Sequence, residues 1–501
     1  MTSQGRLTKD VLKTVMAILG IIVLCRLTAG LAIGALVLYA CLLAMSQKKW
    51  VTLAAFVIFP YLIIMNPGIL PKTSYMNIIF RVGTALMSVS LLMGAMTRSG
   101  GHRIPLGGLL AYLVVATVSS MGGYCPSISF MKEVNFLLFL LGVWIGTRNL
   151  HHHVNDLYRL RCVLLALCVI TVFGSCLTLP FPGIAYPQTV SGLMRWGGMT
   201  AEEAALIASE MVEQSYLAGV TNHSNAFAPL LACSVGFLLC DMLFVERRLT
   251  KLHGALIVLS LPLMYFTRSR GAFVTLVAAV TIIYFYGTAA IPTRMVVKTR
   301  ARNWIVAFVM LVVLCAAFLQ VKDGGFSKYL RKDTADSGQN YSLTEAMTAS
   351  RMGLVESNLN DFKKNPMLGM GFQTSESHRY LLDAGMISIF SAPIEKGVLP
   401  TMVLGETGLV GAGVFLFWAV VFITVCRRKN YVCTLCLMGV LQASNLGEAS
   451  FFSPGGVGGI LWIVTVVGGY ICDMQIIYRR FVERQMRQMF MEQAQEMAMV
   501  R

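Results

Sequence analysis

Charged side chains are scarce in this sequence. Asp, Glu, Lys and Arg make up 13% of its 501 residues, against 56% hydrophobic ones, and the mean hydropathy is +0.68. A soluble domain carries about 25% charged residues, so a soluble globular protein is excluded. No cleavable leader is expected: Arg6 and Lys9 precede the apolar run Val11 to Cys25, but no small-residue cleavage site leads into a soluble domain. That run is expected to stay as a first helix. No disulfide framework is expected from the 13 cysteines, because most, such as Cys41, Cys168, Cys233 and Cys315, lie in apolar segments where they act as small hydrophobes. Cys433 and Cys436 have the CxxC spacing but no second Cys or His pair nearby, so neither a metal nor redox chemistry is expected there. Internal repeats and low-complexity segments are absent as well.

What is present is one apolar run after another. Apolar runs, most of them reaching the about 17 to 25 residues that cross a bilayer, recur as candidate spans near 10–25, 28–46, 51–69, 75–96, 105–123, 134–147, 162–180, 223–244, 254–267, 271–290, 304–321, 398–426, 431–447 and 456–477. The expected fold class is an all-α polytopic transmembrane bundle of about twelve to fourteen spans. Basic residues should mark the cytoplasmic turns, and the turns do alternate. One set holds Lys48 and Lys49, Arg98 and Arg103, Arg247 and Arg248, and Arg427 to Lys429; the other offers little beyond Arg26, Lys72 and Lys132. Both termini are then cytoplasmic. The net charge of +17 fits anionic membrane lipids as partners, and no nucleic acid is required.

Two outer segments are far longer than ordinary connections, and long ordered loops usually bind or catalyse. The expected organisation is N-terminal spans over 1–180, a first long external loop over 181–221, further spans over 222–321, a large external loop over 322–397, C-terminal spans over 398–478 and a cytoplasmic tail over 479–501. Within the large loop, Ser342 to Glu345 form a capping-box pattern. Met352, Val355, Leu359 and Phe362 then keep a helical apolar stripe as far as Lys363, Lys364 and the stop Asn365-Pro366. An amphipathic helix roofing the bundle at the outer surface is expected.

Tyr265 to Ala272 place Arg268 and Arg270 at the outer boundary of two adjacent apolar helices with almost no loop between them. Basic residues there oppose the positive-inside bias and are commonly functional. A helix starting near Gly271 would aim backbone N–H groups at the same guest, and a phosphate suits both them and the guanidinium fork. The alternative is that both arginines snorkel to the interface.

The stretch Thr267 to Ala272 resembles the Ser-Arg-Gly signature of the O-antigen ligase and polymerase superfamily of bacterial envelope glycosyltransferases. Three more stretches agree in order: Asn222 to Ala226; Arg351 followed by Asn365-Pro366, Gly369 and Gly371; and Glu406, Gly408 and Gly411. The similarity covers roughly residues 181 to 426. One position departs from it. Ligases of this family carry a His eleven residues before the first glycine of the last stretch, and here that position is Gly397. His378 precedes Arg379-Tyr380-Leu381, but its spacing to Gly408 does not match.

The resemblance implies a GT-C-like enzyme of the bacterial inner membrane with its active site facing outward. It would transfer a glycan from a polyprenyl diphosphate to a glycan or lipid acceptor, with inversion, without metal or cofactor, and beside polysaccharide export machinery. Arg268, Arg270, Arg351 and Lys396 suit the diphosphate, and Glu395 is the carboxylate nearest the missing His, a candidate base. Arg195, Asn225, Glu406, Glu448 and the intramembrane Arg81 are candidate substrate contacts. Plainer roles stand beside these: a solvated Glu395–Lys396 pair, a helix-dipole partner in Glu406, surface positions for Arg195 and Arg351, and structural pairing of Arg81. Polymerisation of repeat units is the leading expectation and ligation to a lipid or protein the alternative. A transporter or flippase is the competing class, although the chain shows neither the paired halves nor the broken midplane helices typical of transporters.

Overall fold

The computed structural model describes residues 3–28, 31–45, 49–71, 74–95, 104–148, 154–187, 190–191, 193–194, 200–210, 216–247, 250–267, 269–283, 343–383, 397–446 and 449–499. Among these residues every regular element is helical, apart from one isolated antiparallel bridge between Met65 and Thr221. Among the described residues five helices are long and apolar enough to cross a membrane: Pro126–Thr147, Asn155–Thr178, Ser224–Glu246, Leu399–Arg428 and Gly456–Gln493. Shorter apolar helices, including Trp50–Ile63, Gly107–Met121 and Val432–Ser444, stand among them. The protein is an all-α polytopic membrane bundle.

The apolar runs correspond closely to these helices. The run near 75–96 is the helix Ser74–Ala95, and that near 105–123 is Gly107–Met121. The run near 134–147 starts earlier, at Pro126, because a proline fits the first helical turn, where its missing N–H has no partner to lose. Lys132 and Glu133 therefore sit inside a helix. The last span does not stop at 478; its helix continues from Gly469 to Met499. The run near 304–321 lies outside the described residues.

Burial sets the layering. The membrane window of Ser224–Glu246 is 100% buried, so this helix is the hub, whereas that of Leu399–Arg428 is 22% buried and lies at the rim. There Leu416, Phe417, Val420 and Ile423 face outward, as they must where the solvent is hydrocarbon. Close approach of helices depends on small residues: a methyl added at Gly469 would lie 2.6 Å from the Thr434 Cα. Along the same seam the buried Asp473 carboxylate accepts the N–H groups of Cys433 (2.8 Å) and Thr434 (3.0 Å). These are orphan donors at the start of Val432–Ser444, and one acid of a neighbouring helix satisfies both.

A second polar knot lies near the hub helix's far end, where the π-helical turn Asp241–Glu246 follows Cys240. Arg161 donates to both Asp241 oxygens (2.6 and 2.8 Å) and to Glu246 (2.6 Å). The His253 Nε2 meets Asp241 at 2.7 Å, and Arg161, Asp241 and His253 are all buried. Arg161→Met leaves both carboxylates without their cation, a loss of roughly 3–5 kcal/mol for a buried pair. A clear fall in the melting temperature of the purified protein is expected, with no fall for Arg159→Met, whose side chain is 55% exposed; equal melting of the two variants would refute the role.

Candidate active site

The helix Leu399–Arg428 is interrupted at Gly408, whose φ of 61° and ψ of −162° are non-helical. Breaking a helix in an apolar surround leaves backbone donors and acceptors that water cannot satisfy. Here the loop 365–371 satisfies them. Leu409 and Val410 donate to the Pro366 and Met367 carbonyls at 2.8 and 3.2 Å, while Met370 and Gly371 donate to the Gly405 and Glu406 carbonyls at 2.9 and 3.1 Å. Two stretches that the sequence separates by some forty residues are thus interlocked backbone to backbone. The glycines make this possible. Gly369 and Gly408 both have positive φ, and a Cβ on either would overlap the opposing backbone.

Two successive serines hold the loop from the other side. Ser119 Oγ accepts the Gly371 N–H (3.2 Å) and donates to the Glu406 carbonyl (2.5 Å). Ser120 Oγ accepts the Phe372 N–H (3.1 Å) and donates to the Glu133 carboxylate (2.5 Å), which also receives Thr117 (2.8 Å). Neither serine nor Glu133 stands out in the sequence, because each is a single polar residue in an apolar helix. Nearby, the Tyr124 hydroxyl donates to Asp361 (2.6 Å) and accepts from Lys364 (2.9 Å), and Lys364 also reaches Glu376 (3.1 Å). Burial first, then the hydrogen bond to Asp361, raises the Tyr124 phenol above its ordinary pKa. Lys364 is likewise raised, chiefly by its bonds to Tyr124 and Glu376.

The expected helix of the large loop is present as Leu343–Lys364 and ends at Asn365-Pro366. Its docked face differs from the expected stripe: Asn358 and Asp361 are buried whereas Leu359 is exposed. Asn358 lies against the rim helix, where a methyl on Gly405 would come within 2.7 Å of the Asn358 carbonyl oxygen. A polar face serves because it meets Tyr124 and the Gly405 turn rather than lipid.

Gly397, where the ligases' His would fall, is buried with φ of +73°, and an added Cβ would lie 2.9 Å from the Leu354 Cβ. Its carbonyl accepts from Ala449 (2.8 Å), and Leu399 donates to Asn445 (3.1 Å). Residues 445–446 and 449–456 thus abut this end of the rim helix. They carry Phe451 and Phe452 into an aromatic core with Tyr112, Phe136, Phe415 and Trp462, and the Phe452 carbonyl accepts from Gln373 Nε2 (2.8 Å). At their far end Gly456 approaches Ile64. The Ile64 turn is laced to the entry of the hub helix by Asn222 to the Ile64 carbonyl (2.7 Å) and Asn66 to the Val220 carbonyl (2.9 Å). Leu217 donates to the carbonyl of Phe266 (3.1 Å), the last residue of the helix Lys251–Phe266.

All four motif stretches therefore gather at one end of the bundle. Asn225 is half-buried in the first turn of Ser224–Cys240, its N–H donating to His223 Nδ1 (2.9 Å). Glu406 is 1% exposed beside the break and within electrostatic reach of Tyr112. Arg270 opens the helix Arg270–Ile282, Arg351 sits on Leu343–Lys364 and Arg81 on Ser74–Ala95; only their backbone positions are described. Arg195, Arg268, Glu395, Lys396 and Glu448 lie outside the described residues. His378 is buried, its Nδ1 taken by the hydroxyl (2.6 Å) and N–H (3.2 Å) of Ser375. Among the described residues no group of His, Cys, Asp or Glu is arranged to hold a metal ion.

If the interlock orders the loop, Gly369→Ala will speed tryptic cleavage after Lys364 and Arg379 in membranes. Gly353→Ala, where an added methyl meets nothing within 4 Å, will leave the pattern unchanged. Identical digestion of the two variants would count against the interlock.

No curated protein matches the chain. The O-antigen ligase family model matches residues 255–416, which include the sequence stretch Thr267 to Ala272, the loop 365–371 and the helix break. That match supports the resemblance to the O-antigen ligase and polymerase superfamily, and with it a ligase/polymerase-type membrane enzyme of glycan assembly.

Proposed function

We propose that the protein polymerises polyprenyl-diphosphate-linked oligosaccharide units at the outer face of the bacterial inner membrane, by inversion and without a metal. The observation that carries the polymerase branch is Gly397: the position of the ligases' His holds a buried, left-handed glycine pressed against Leu354, with no room for an imidazole. The gathering of the motif stretches at one end supports a single reaction centre there.

In this reading the acceptor hydroxyl oxygen attacks the anomeric carbon of the lipid-linked unit. The bond from that carbon to the diphosphate oxygen breaks, and its electron pair leaves with the diphosphate. Arg268, Arg270, Arg351 and Lys396 neutralise the departing charge. Glu395 accepts the hydroxyl proton. Asn225, Glu406, Arg195, Glu448 and Arg81 hold or orient the donor and acceptor chains. The interlock keeps the Leu343–Lys364 helix, which carries Arg351, attached to the bundle during the transfer.

The test is a mass profile of polyprenyl-diphosphate-linked glycans in cells with and without the gene. Polymerase function predicts accumulation of single repeat units on loss. Accumulated full-length lipid-linked chains would establish a ligase instead, and an unchanged pool, or units trapped on the cytoplasmic side, would move the protein to transport. Arg270→Ala is expected to abolish polymer while protein level and membrane insertion stay normal; retained polymer would remove Arg270 from the site.

A further inference from the structure

At the end of the bundle opposite the motif loops, the last helix leaves the hub and passes the π-helical turn Asp241–Glu246. Four guanidinium groups meet there. Arg247 follows the turn with φ of 56°, a left-handed conformation uncommon outside glycine. Arg479 lies within electrostatic reach of Arg247, and Arg480 within reach of both Arg247 and Arg484. Arg480 and Arg484 are four residues apart on one face of the Gly469–Met499 helix.

The nearby carboxylates are mostly committed elsewhere. Asp241 and Glu246 are bound by Arg161, and Asp473 by the Cys433 and Thr434 N–H groups. Glu483 lies 3.6 Å from Arg247; Glu246 and Glu483 also attract Arg479, and Asp473 and Glu483 attract Arg480. Four mutually repelling cations thus share carboxylates of which Glu246 and Asp473 already serve other groups. The Arg480 Nε–H is moreover buried with no hydrogen-bond partner among the described residues, a donor that costs free energy unless an acceptor reaches it.

Tyr478 and Phe481 are 50% and 56% exposed on either side of Arg479 and Arg480. The site is therefore bordered by apolar surface as well as by charge, a combination that suits a phosphate carrying acyl chains.

We propose that Arg247, Arg479, Arg480 and Arg484 form a binding site for a phosphate-bearing anion, such as the headgroup of an anionic phospholipid, remote from the glycan chemistry. The phosphate oxygens accept from the guanidinium forks and from the Arg480 Nε–H. The site needs no glycan substrate, so its test is independent of the proposed transferase reaction.

The experiment titrates the full-length protein, purified and delipidated in detergent, with phosphatidylglycerol, phosphatidylcholine or inorganic phosphate. Retained adducts are read by native mass spectrometry. Phosphatidylglycerol is expected to bind at least about tenfold more tightly than phosphatidylcholine, and Arg480→Gln and Arg484→Gln each to weaken it about fivefold, the usual contribution of one basic contact at a lipid surface. Arg428→Gln, an exposed arginine of another turn, should change nothing. Arg484 is itself exposed, so its variant reports even if Arg480→Gln misfolds. Displacement of the lipid by inorganic phosphate would identify a site open to free phosphate; binding of the lipid alone would identify a headgroup site. Equal retention of the two lipids without phosphate binding, or equal weakening by Arg428→Gln, would overturn the proposal.

Discussion

A backbone that departs from helical geometry among apolar helices must find partners for its freed N–H and C=O groups within the protein. At Gly408 the rim helix departs from it, and much of the architecture at that end is an answer to this one demand. The loop 365–371 supplies two carbonyls to the helix beyond the break and takes two carbonyls from the helix before it. Loop and break are therefore conditions of each other's stability. Their glycines are required by backbone clearance as much as by torsion angle.

Support then spreads outward through polar groups that would be costly to bury singly. Ser119 and Ser120 present their hydroxyls to consecutive N–H groups of the loop, and Glu133 receives the next hydrogen bond in line. Asn358, Asp361 and Tyr124 tie the Leu343–Lys364 helix to the same assembly. On its inner side the aromatic core around Phe451 and Phe452 fills the bundle beneath the loop, so that the end carrying the motifs rests on a packed base. Stabilisation of a developing diphosphate charge depends on donors that do not have to reorganise, and an end built this way provides a rigid frame for them.

The opposite end follows a different rule. Arg161 is buried with two carboxylates, whereas Arg247, Arg479, Arg480 and Arg484 gather around Glu483 and carboxylates that already serve other groups. The buried Arg161 is thus matched, and the cluster of cations lies where the bundle meets the interface, where outside anions can balance it. Basic residues at the two ends therefore have different settings, although in the sequence they look alike.

The sequence by itself determined the class of the protein, most helix positions and the four motif stretches. Hydropathy and helix-stop residues act locally: Asn365-Pro366 ends its helix because a proline has no N–H and restricts the residue before it, and long apolar runs have few alternatives to spanning a membrane. Tertiary structure alone decided how the stretches relate. The pairing of Gly369 with Glu406, the service of Ser119 to both, the polar rather than apolar docking of the Leu343–Lys364 helix and the exclusion of a side chain at Gly397 all depend on contacts between distant segments. No periodicity records such contacts. A serine in an apolar helix or a glycine in a loop carries the same local signal whether it faces lipid, a neighbouring helix or another backbone, and only packing tells these apart.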